Sequence, residues 1–295
     1  PTRRSSDLGS SISKWINDYN KKEIIEGFYL KNINYKFKKV YDKNLNRNKL
    51  NKYFDILNSN DEKDFLENIN KLNIREFIIE KSPDYCNSLL TCTIYKNLVT
   101  TYHLKNYNVG ILVSNEQKSV LNEINKNNTE IIRISGKIKL NQFKLKNFKN
   151  KKKIIFVTYR NYLEKRGDKW LLHQFKYYIK ILKWSLFNLE EDGIICLNLG
   201  LPIFKFIKDL VLLMSNFSSV FIFSNYYLEK LDKTPIYYCF SSIWRIEKLI
   251  QELDRIEKFN FDNNNGFLEI NSKTNLDFRL NDISEFFINR YISLY

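Results

Sequence analysis

Short apolar segments alternate with helical patterns over residues 75–243, and this alternation constrains the fold more than any other feature. Three of the segments are VGILVS (109–114), KIIFVTY (153–159) and GIICLNL (193–199). Uninterrupted apolar strands are typical of a parallel sheet that is buried on both faces. DKWLLHQFKYYIKILKWSLFNL (168–189) repeats apolar residues at helical spacing, so it predicts a long helix between two strands. The sequence therefore predicts an α/β fold.

The remaining segments complete this prediction. Strands are also expected at residues 75–80, 130–135, 219–224 and 235–243, and helices at 86–104, 115–125 and 203–217. The last two strands lie only about ten residues apart with no helix between them, which favours an antiparallel hairpin at the sheet edge. The expected arrangement is a mostly parallel sheet with a terminal antiparallel strand and helices on both faces.

Composition changes along the chain suggest four segments. PTRRSSDL (1–8) lacks Asn, Ile and Tyr, and we interpret it as a sequencing-adaptor scar that replaces the true N-terminus. Residues 9–73 are predicted to form a mainly helical extension. Residues 74–243 hold the α/β domain, and residues 244–295 are expected to form an α-helical tail.

The net charge is +15, from 48 Lys+Arg and 33 Asp+Glu residues. A basic chain favours polyanionic partners, nucleic acid first, although AT-rich coding alone also raises the lysine content. The four cysteines form no Cys-x-x-Cys pair, so we expect reduced buried thiols in a cytoplasmic protein and no metal site. No apolar run is long enough to predict a membrane contact.

The most basic segment is KIKLNQFKLKNFKNKKK (137–153), with eight lysines, no acid and two phenylalanines. We predict that it forms a loop at the carboxyl edge of the sheet, where lysines follow phosphates and Phe143 or Phe148 stacks a base. Lys151, Lys152 and Lys153 are expected to be its most exposed part. A solvated loop in a lysine-rich chain is the alternative. The complete predicted RNA-binding set is Lys144, Lys146, Lys149, Lys151, Lys152, Lys153, Arg160, Lys165 and Arg166.

The order of elements over 153–243 resembles that of the FtsJ-like RNA 2′-O-methyltransferases. The strand KIIFVTY is followed by the loop RNYLEKRG, the long helix, EEDGIICLNLGLP, a further helix, and FSSVFIFSNYYLEKLDKTPIYYCF. The resemblance implies a Rossmann-like, S-adenosylmethionine-dependent methyltransferase fold for residues 74–243.

The same resemblance implies that the catalytic groups are lost. The family uses a Lys–Asp–Lys–Glu tetrad, in which a lysine helps to deprotonate the ribose 2′-hydroxyl. The matching positions hold Thr158 or Tyr159, then Asn198 and Thr234, while the first lysine has no placed counterpart. An amide at Asn198 cannot accept that proton near neutral pH. No catalytic residue is therefore predicted.

The cofactor side is altered as well. The family's first strand leads into a glycine-rich turn, but the corresponding EKSPDYCN (80–87) has no glycine and includes Pro83. Asp84 and Glu116 are the only candidates for a remnant of cofactor binding, and Glu116 serves equally as a first-turn acid of a helix. We expect no cofactor, or S-adenosylmethionine if the enzyme is active.

Three functions follow from this sequence. The first is a degenerate methyltransferase homologue that binds RNA or stimulates a catalytic capping or methyltransferase subunit, in the host cytoplasm or virion of a virus. LNLGLPIFKFIKDLVLLMSNFSSVFIFSNYYLEK resembles in pattern the non-catalytic small subunits of viral mRNA-capping enzymes. The alternatives are an active, divergent RNA 2′-O-methyltransferase and a stand-alone nucleic-acid-binding scaffold.

Overall fold

The structure is a computed structural model that describes residues 25–29, 34–42, 47–58, 94, 108–114, 129–134, 144–158, 170–224, 236–261, 265–271 and 274–294. Its strands are β1 (Ile25–Tyr29), β2 (Tyr35–Tyr41), β3 (Val109–Ser114), β4 (Thr129–Ile134), β5 (Lys152–Val157), β6 (Leu189–Asn198), β7 (Ser219–Ser224), β8 (Ile236–Ser241) and β9 (Asn265–Ile270). Its helices are α1 (Arg47–Asn58), α2 (Trp170–Phe187), α3 (Lys205–Met214), α4 (Ile246–Glu257) and α5 (Asn275–Leu294).

Seven strands form the main sheet, in the order β1-β7-β8-β6-β5-β3-β4. Strands β4, β3, β5 and β6 pair in parallel, β8 is antiparallel to both β6 and β7, and β1 is antiparallel to β7. Five strands thus share one direction, and the predicted α/β fold with a mostly parallel sheet is confirmed. The arrangement is compatible with a Rossmann-like fold.

The sequence predicted that the antiparallel hairpin lies at the sheet edge. In the structure, the β7–β8 hairpin lies one strand in from that edge. After β6, the chain passes through α3 and returns one strand position further out, so β8 fills the gap between β6 and β7. The outer edge is covered instead by β1, whose Ile25 to Tyr29 pair with Phe223 to Ser219. The N-terminal segment therefore completes the sheet.

Strand β3 pairs directly with β5, from Val109 and Ile154 to Leu112 and Val157. The strand predicted at 75–80 lies outside the described residues. Because β4 lies on one side of β3 and β5 on the other, the chain changes direction across the sheet at this pair. In open α/β sheets, ligands bind beside the carboxyl ends of the strands at such a switch point.

Both faces of the sheet are buried, which explains the uninterrupted apolar strands. On one face, Leu112, Leu197 and Tyr238 join a single hydrophobic core with side chains of α2 and α3. On the opposite face, Phe156 and Cys196 are also fully buried. The helices predicted at 86–104 and 115–125 lie outside the described residues except for Ile94, which is helical and fully buried.

Both terminal segments contain strands that the sequence did not predict. The supposed helical tail holds β9, which pairs antiparallel with β2 from Tyr35 and Ile270 to Tyr41 and Asn265. The N-terminal extension, expected to be mainly helical, contributes β1, β2 and α1. The β2–β9 pair packs on α3, and α1 packs on α5, so these segments form a further layer over α3.

A buried carboxylate on α3 holds β9 in place. Asp209 Oδ2 accepts hydrogen bonds from the backbone N–H groups of Phe267 (2.8 Å) and Leu268 (3.0 Å), and the Lys205 ammonium contacts Oδ1. Any Cβ at Gly266 would collide with this carboxylate, so glycine permits the close approach. Burial raises the pKa of Asp209 to about 6, although the Lys205 ammonium and the two N–H groups oppose that shift.

Candidate functional site

The chain segment that follows β6 is closed to solvent. Asn198 ends the strand and is only 2% exposed, and Leu199 to Phe204 are all buried. The backbone N–H groups of Leu199 and Gly200 both donate to the carbonyl oxygen of Ile236, at 3.2 and 3.3 Å. Gly200 has a φ of 69°, which lets the chain turn sharply and which favours glycine.

Three hydroxyl groups fix the closed segment from different elements. Tyr178 of α2 donates to the Leu199 carbonyl at 3.1 Å, and Tyr238 of β8 donates to the Gly200 carbonyl at 3.3 Å. Ser284 of α5 donates to the Pro202 carbonyl at 2.6 Å. At Asn198, which the sequence resemblance matched to a catalytic lysine, the chain therefore has a buried amide followed by a buried, hydrogen-bonded segment.

The carboxyl ends of β3 and β5 are joined by Thr158. Its backbone N–H and its hydroxyl both donate to the Leu112 carbonyl, at 3.1 and 3.3 Å, and the residue is 2% exposed. The remaining predicted residues of this edge lie outside the described residues, so their roles stay predictions. They are Asp84, Glu116, Tyr159, Arg160, Lys165, Arg166 and Thr234.

The described part of the basic segment lies at the opposite edge from the one predicted. Residues 144–151 precede the amino end of β5, and the Lys149 N–H donates to both carboxylate oxygens of Glu130 at 3.2 Å. Glu130 is at the beginning of β4. Because β4 and β5 are parallel, the connecting chain must return to the amino edge before β5 begins. The described lysines and Asn198 therefore occupy opposite edges of the sheet.

Two lysines that we expected to be among the most exposed are not. Lys152 begins β5 and is 4% exposed, with its ammonium 2.9 Å from Glu130 Oε2 and 5.6 Å from the centre of the Phe148 ring. Lys153 is half-buried, and its ammonium donates to the Glu191 carbonyl at 2.8 Å. Burial opposes ionisation of Glu130, but the Lys152 ammonium and the Lys149 N–H outweigh it and keep the pKa of that carboxyl below its usual range.

Phe148 serves as an anchor and not as a base-stacking platform. Its ring lies 5.3 Å from that of Trp184, and its backbone N–H donates to Asn188 Oδ1 at 3.0 Å. Only 6% of Phe148 is exposed, so the surface available for stacking is negligible. The other four lysines of the described segment are exposed: Lys144, Lys146, Lys149 and Lys151.

Substitution of Gly110 by alanine should loosen this anchor. A Cβ on Gly110 would lie 2.5 Å from Phe148 Cζ and 3.0 Å from Lys152 Cγ. Overpacking of this kind should lower the free energy of unfolding by about 1–3 kcal/mol, measured by urea denaturation. Arg133→Ala, at an exposed position on β4, is the control and should change it by less than about 0.5 kcal/mol. An unchanged midpoint for Gly110→Ala would mean that Phe148 does not pack on β3.

A cleft of about 770 Å³ adjoins the exposed lysines at the amino edge. It lies between the end of α2, the beginning of β6 and the beginning of α4. Leu186, Phe187, Ile243 and Trp244 are among its apolar lining residues. Phe187 is 62% exposed. The charged residues of the lining are Lys151, Glu191, Asp192, Arg245, Glu247 and Lys248.

Backbone geometry shapes the cleft. The register between β5 and β6 shifts after Lys152, and the extra β6 residues form a bulge that includes Asp192. Asp192 and Arg245 both have a φ of 53°, a left-handed conformation that is uncommon outside glycine. Nothing in the sequence indicated that Phe187 and Trp244 would line the same cleft, because they belong to elements that are distant in the chain.

Within the described residues, no group of three His, Cys, Asp or Glu side chains is arranged to bind a metal ion. None of the helices in the same part of the chain is long and apolar enough to cross a bilayer.

No model of a known protein family matches the chain, and no curated protein matches it at a significant level.

Proposed function

We propose that this chain is a degenerate homologue of the FtsJ-like cap methyltransferases that acts as a non-catalytic subunit of a viral mRNA-capping apparatus. In this role it binds RNA or stimulates a catalytic capping or methyltransferase subunit, in the host cytoplasm or the virion. The observation that carries the proposal is the closed segment at Asn198. An amide that is 2% exposed takes the place of the amine that must meet the substrate hydroxyl.

Asn198 differs from a general base in its burial as well as in its residue type. A general base must come within about 2.6–3.2 Å of the hydroxyl that it deprotonates. Asn198 is 2% exposed, and the residues that follow it, 199–204, are buried and held by the Tyr178, Tyr238 and Ser284 hydroxyls. Opening this segment would break three buried hydrogen bonds, each worth about 1 kcal/mol, and would expose Phe204, which is fully buried. The sheet order, with β8 between β6 and β7, is compatible with descent from a Rossmann-like enzyme.

The test is a direct search for methyl-donor binding and methyl transfer. S-adenosylmethionine titrated to about millimolar concentration should give no saturable heat in calorimetry. We expect neither a glycine-rich turn that accommodates the cofactor nor a general base for methyl transfer. Incubation with radiolabelled donor and capped RNA should leave the RNA unlabelled, whereas an active RNA 2′-O-methyltransferase labels it in parallel. Labelled RNA would establish the active, divergent enzyme instead.

A stand-alone nucleic-acid-binding scaffold is the second candidate, because four lysines of the described basic segment are exposed. Co-expression with catalytic capping subunits separates it from the first. A stable complex, or faster methyl transfer by the partner, supports the subunit role. A monomer that binds RNA without either effect supports the scaffold.

A further inference from the structure

We infer that single-stranded RNA binds at the amino edge of the sheet, on the edge opposite Asn198. The inference rests on the RNA-binding role proposed above and assigns it to one surface. This amino-edge surface comprises the exposed lysines of residues 144–151 together with the cleft that contains Phe187 and Trp244. Lys151 belongs to both parts, since it lines the cleft, and so makes them continuous.

The lysine part of the surface provides fixed positive charge. Lys144, Lys146, Lys149 and Lys151 are exposed, and residues 144–153 include no acid. The backbone beneath them is held by the Lys149 N–H on Glu130, by the Phe148 N–H on Asn188, and by the Lys152 N–H on the Asn188 carbonyl at 2.8 Å. Glu130 is paired with the buried Lys152 ammonium, so its charge is largely compensated. A row of exposed ammonium groups on a fixed backbone is suited to a phosphate chain.

The cleft provides a place for a base. Phe187 presents 62% of its surface at the end of α2, and Trp244 is half-buried in the same lining. Proteins that bind single strands combine a basic path for the backbone with aromatic faces on which bases stack. The volume of about 770 Å³ is within the range of sites that bury a small organic ligand, so a planar base fits.

The acids of the cleft determine which base it favours. Glu191, Asp192 and Glu247 line the cleft and would repel a phosphate, so the phosphates are expected to lie along the exposed lysines. Carboxylates instead accept hydrogen bonds from exocyclic amino groups, such as N4 of cytosine. Uracil has a carbonyl oxygen at that position. Oligocytidine should therefore bind more tightly than oligouridine of equal length and charge.

The decisive experiment measures fluorescence anisotropy of labelled oligocytidine with the full chain. Lys144→Glu/Lys146→Glu/Lys151→Glu should weaken binding at least about 10-fold and reduce the salt dependence by about 0.7 per lost phosphate contact. Phe187→Ala should weaken it about 5- to 150-fold, the range for one stacked base. The matched control, Lys36→Glu/Lys52→Glu/Lys258→Glu, changes three exposed lysines elsewhere by the same total charge and should have a much smaller effect.

Each other outcome overturns part of the scheme. Equal losses in the two triple variants would mean that net charge alone drives binding. Equal affinity for oligocytidine and oligouridine would contradict the placement of the base in the cleft. If the triple lysine variant and Phe187→Ala both kept their RNA affinity but no longer bound a co-purifying catalytic subunit, the cleft would be a protein-docking site. Absence of RNA binding by the native chain would refute the RNA-binding role itself, whereas tight binding that ignores these substitutions would refute only the assigned surface.

Discussion

Replacing Asp209 by alanine should lower the free energy of unfolding by about 3–5 kcal/mol, the usual result of removing one partner of a buried ion pair. The substitution leaves the backbone N–H groups of Phe267 and Leu268 without their acceptor in a fully buried place. It also removes the carboxylate that faces Lys205. Urea denaturation followed by tryptophan fluorescence measures the loss.

The loss of unfolding free energy caused by Asp209→Ala should depend on pH in a defined direction. The pKa of Asp209 is raised from about 3.8 to about 6, so the folded protein binds a proton more tightly than the unfolded chain. This contribution to stability is fully present below about pH 3.8 and is lost as the pH rises through about 6. The loss caused by Asp209→Ala should therefore be greater near about pH 4 than near about pH 7.

The control is Asp282→Ala on the exposed side of α5, which should cost less than about 0.5 kcal/mol. If Asp209→Ala proved no more harmful than this control, the carboxylate would not be what holds β9 on α3.

Introducing a lysine at Asn198 should unfold the protein more readily instead of restoring catalysis. The position is 2% exposed beneath residues 199–204, so a charged amine there loses its hydration. Buried lysines have pKa values depressed by several units, and a depression of about three units corresponds to about 4 kcal/mol. We expect Asn198→Lys to lose about that much stability and to transfer no methyl groups.

Asn198→Met is the matched control, because it has similar length without the charge. The two variants should converge as the pH rises toward about 10, where the lysine of the unfolded chain also begins to lose its proton. A stable Asn198→Lys protein that methylates RNA would contradict both the closed segment and the proposed loss of catalysis.

The main sheet could be predicted closely because its strands are apolar and bounded by polar residues. Strands 109–114 and 219–224 have the predicted limits. In each case, the determining signal lies within a few neighbouring residues.

What could not be predicted depends on contacts between distant segments. NGFLEI (265–270) is a strand because β2 and Asp209 bind it, and no local pattern reports those partners. Lys152 looked like one more residue of a basic run, yet Glu130 and Phe148 bury it. The cleft likewise arises where a β6 bulge meets the beginning of α4, so the candidate RNA surface emerged only from the assembled structure.

The pairing of β2 with β9 joins strands that are separated by almost the whole length of the chain. Such high contact order slows folding, because the entropy of closing the large intervening loop is lost before the strand pairing forms. During translation, β2 cannot pair until β9 has been synthesised. A prematurely terminated product would present an unpaired strand and the uncovered side of α3 to other nascent chains, and we expect it to aggregate.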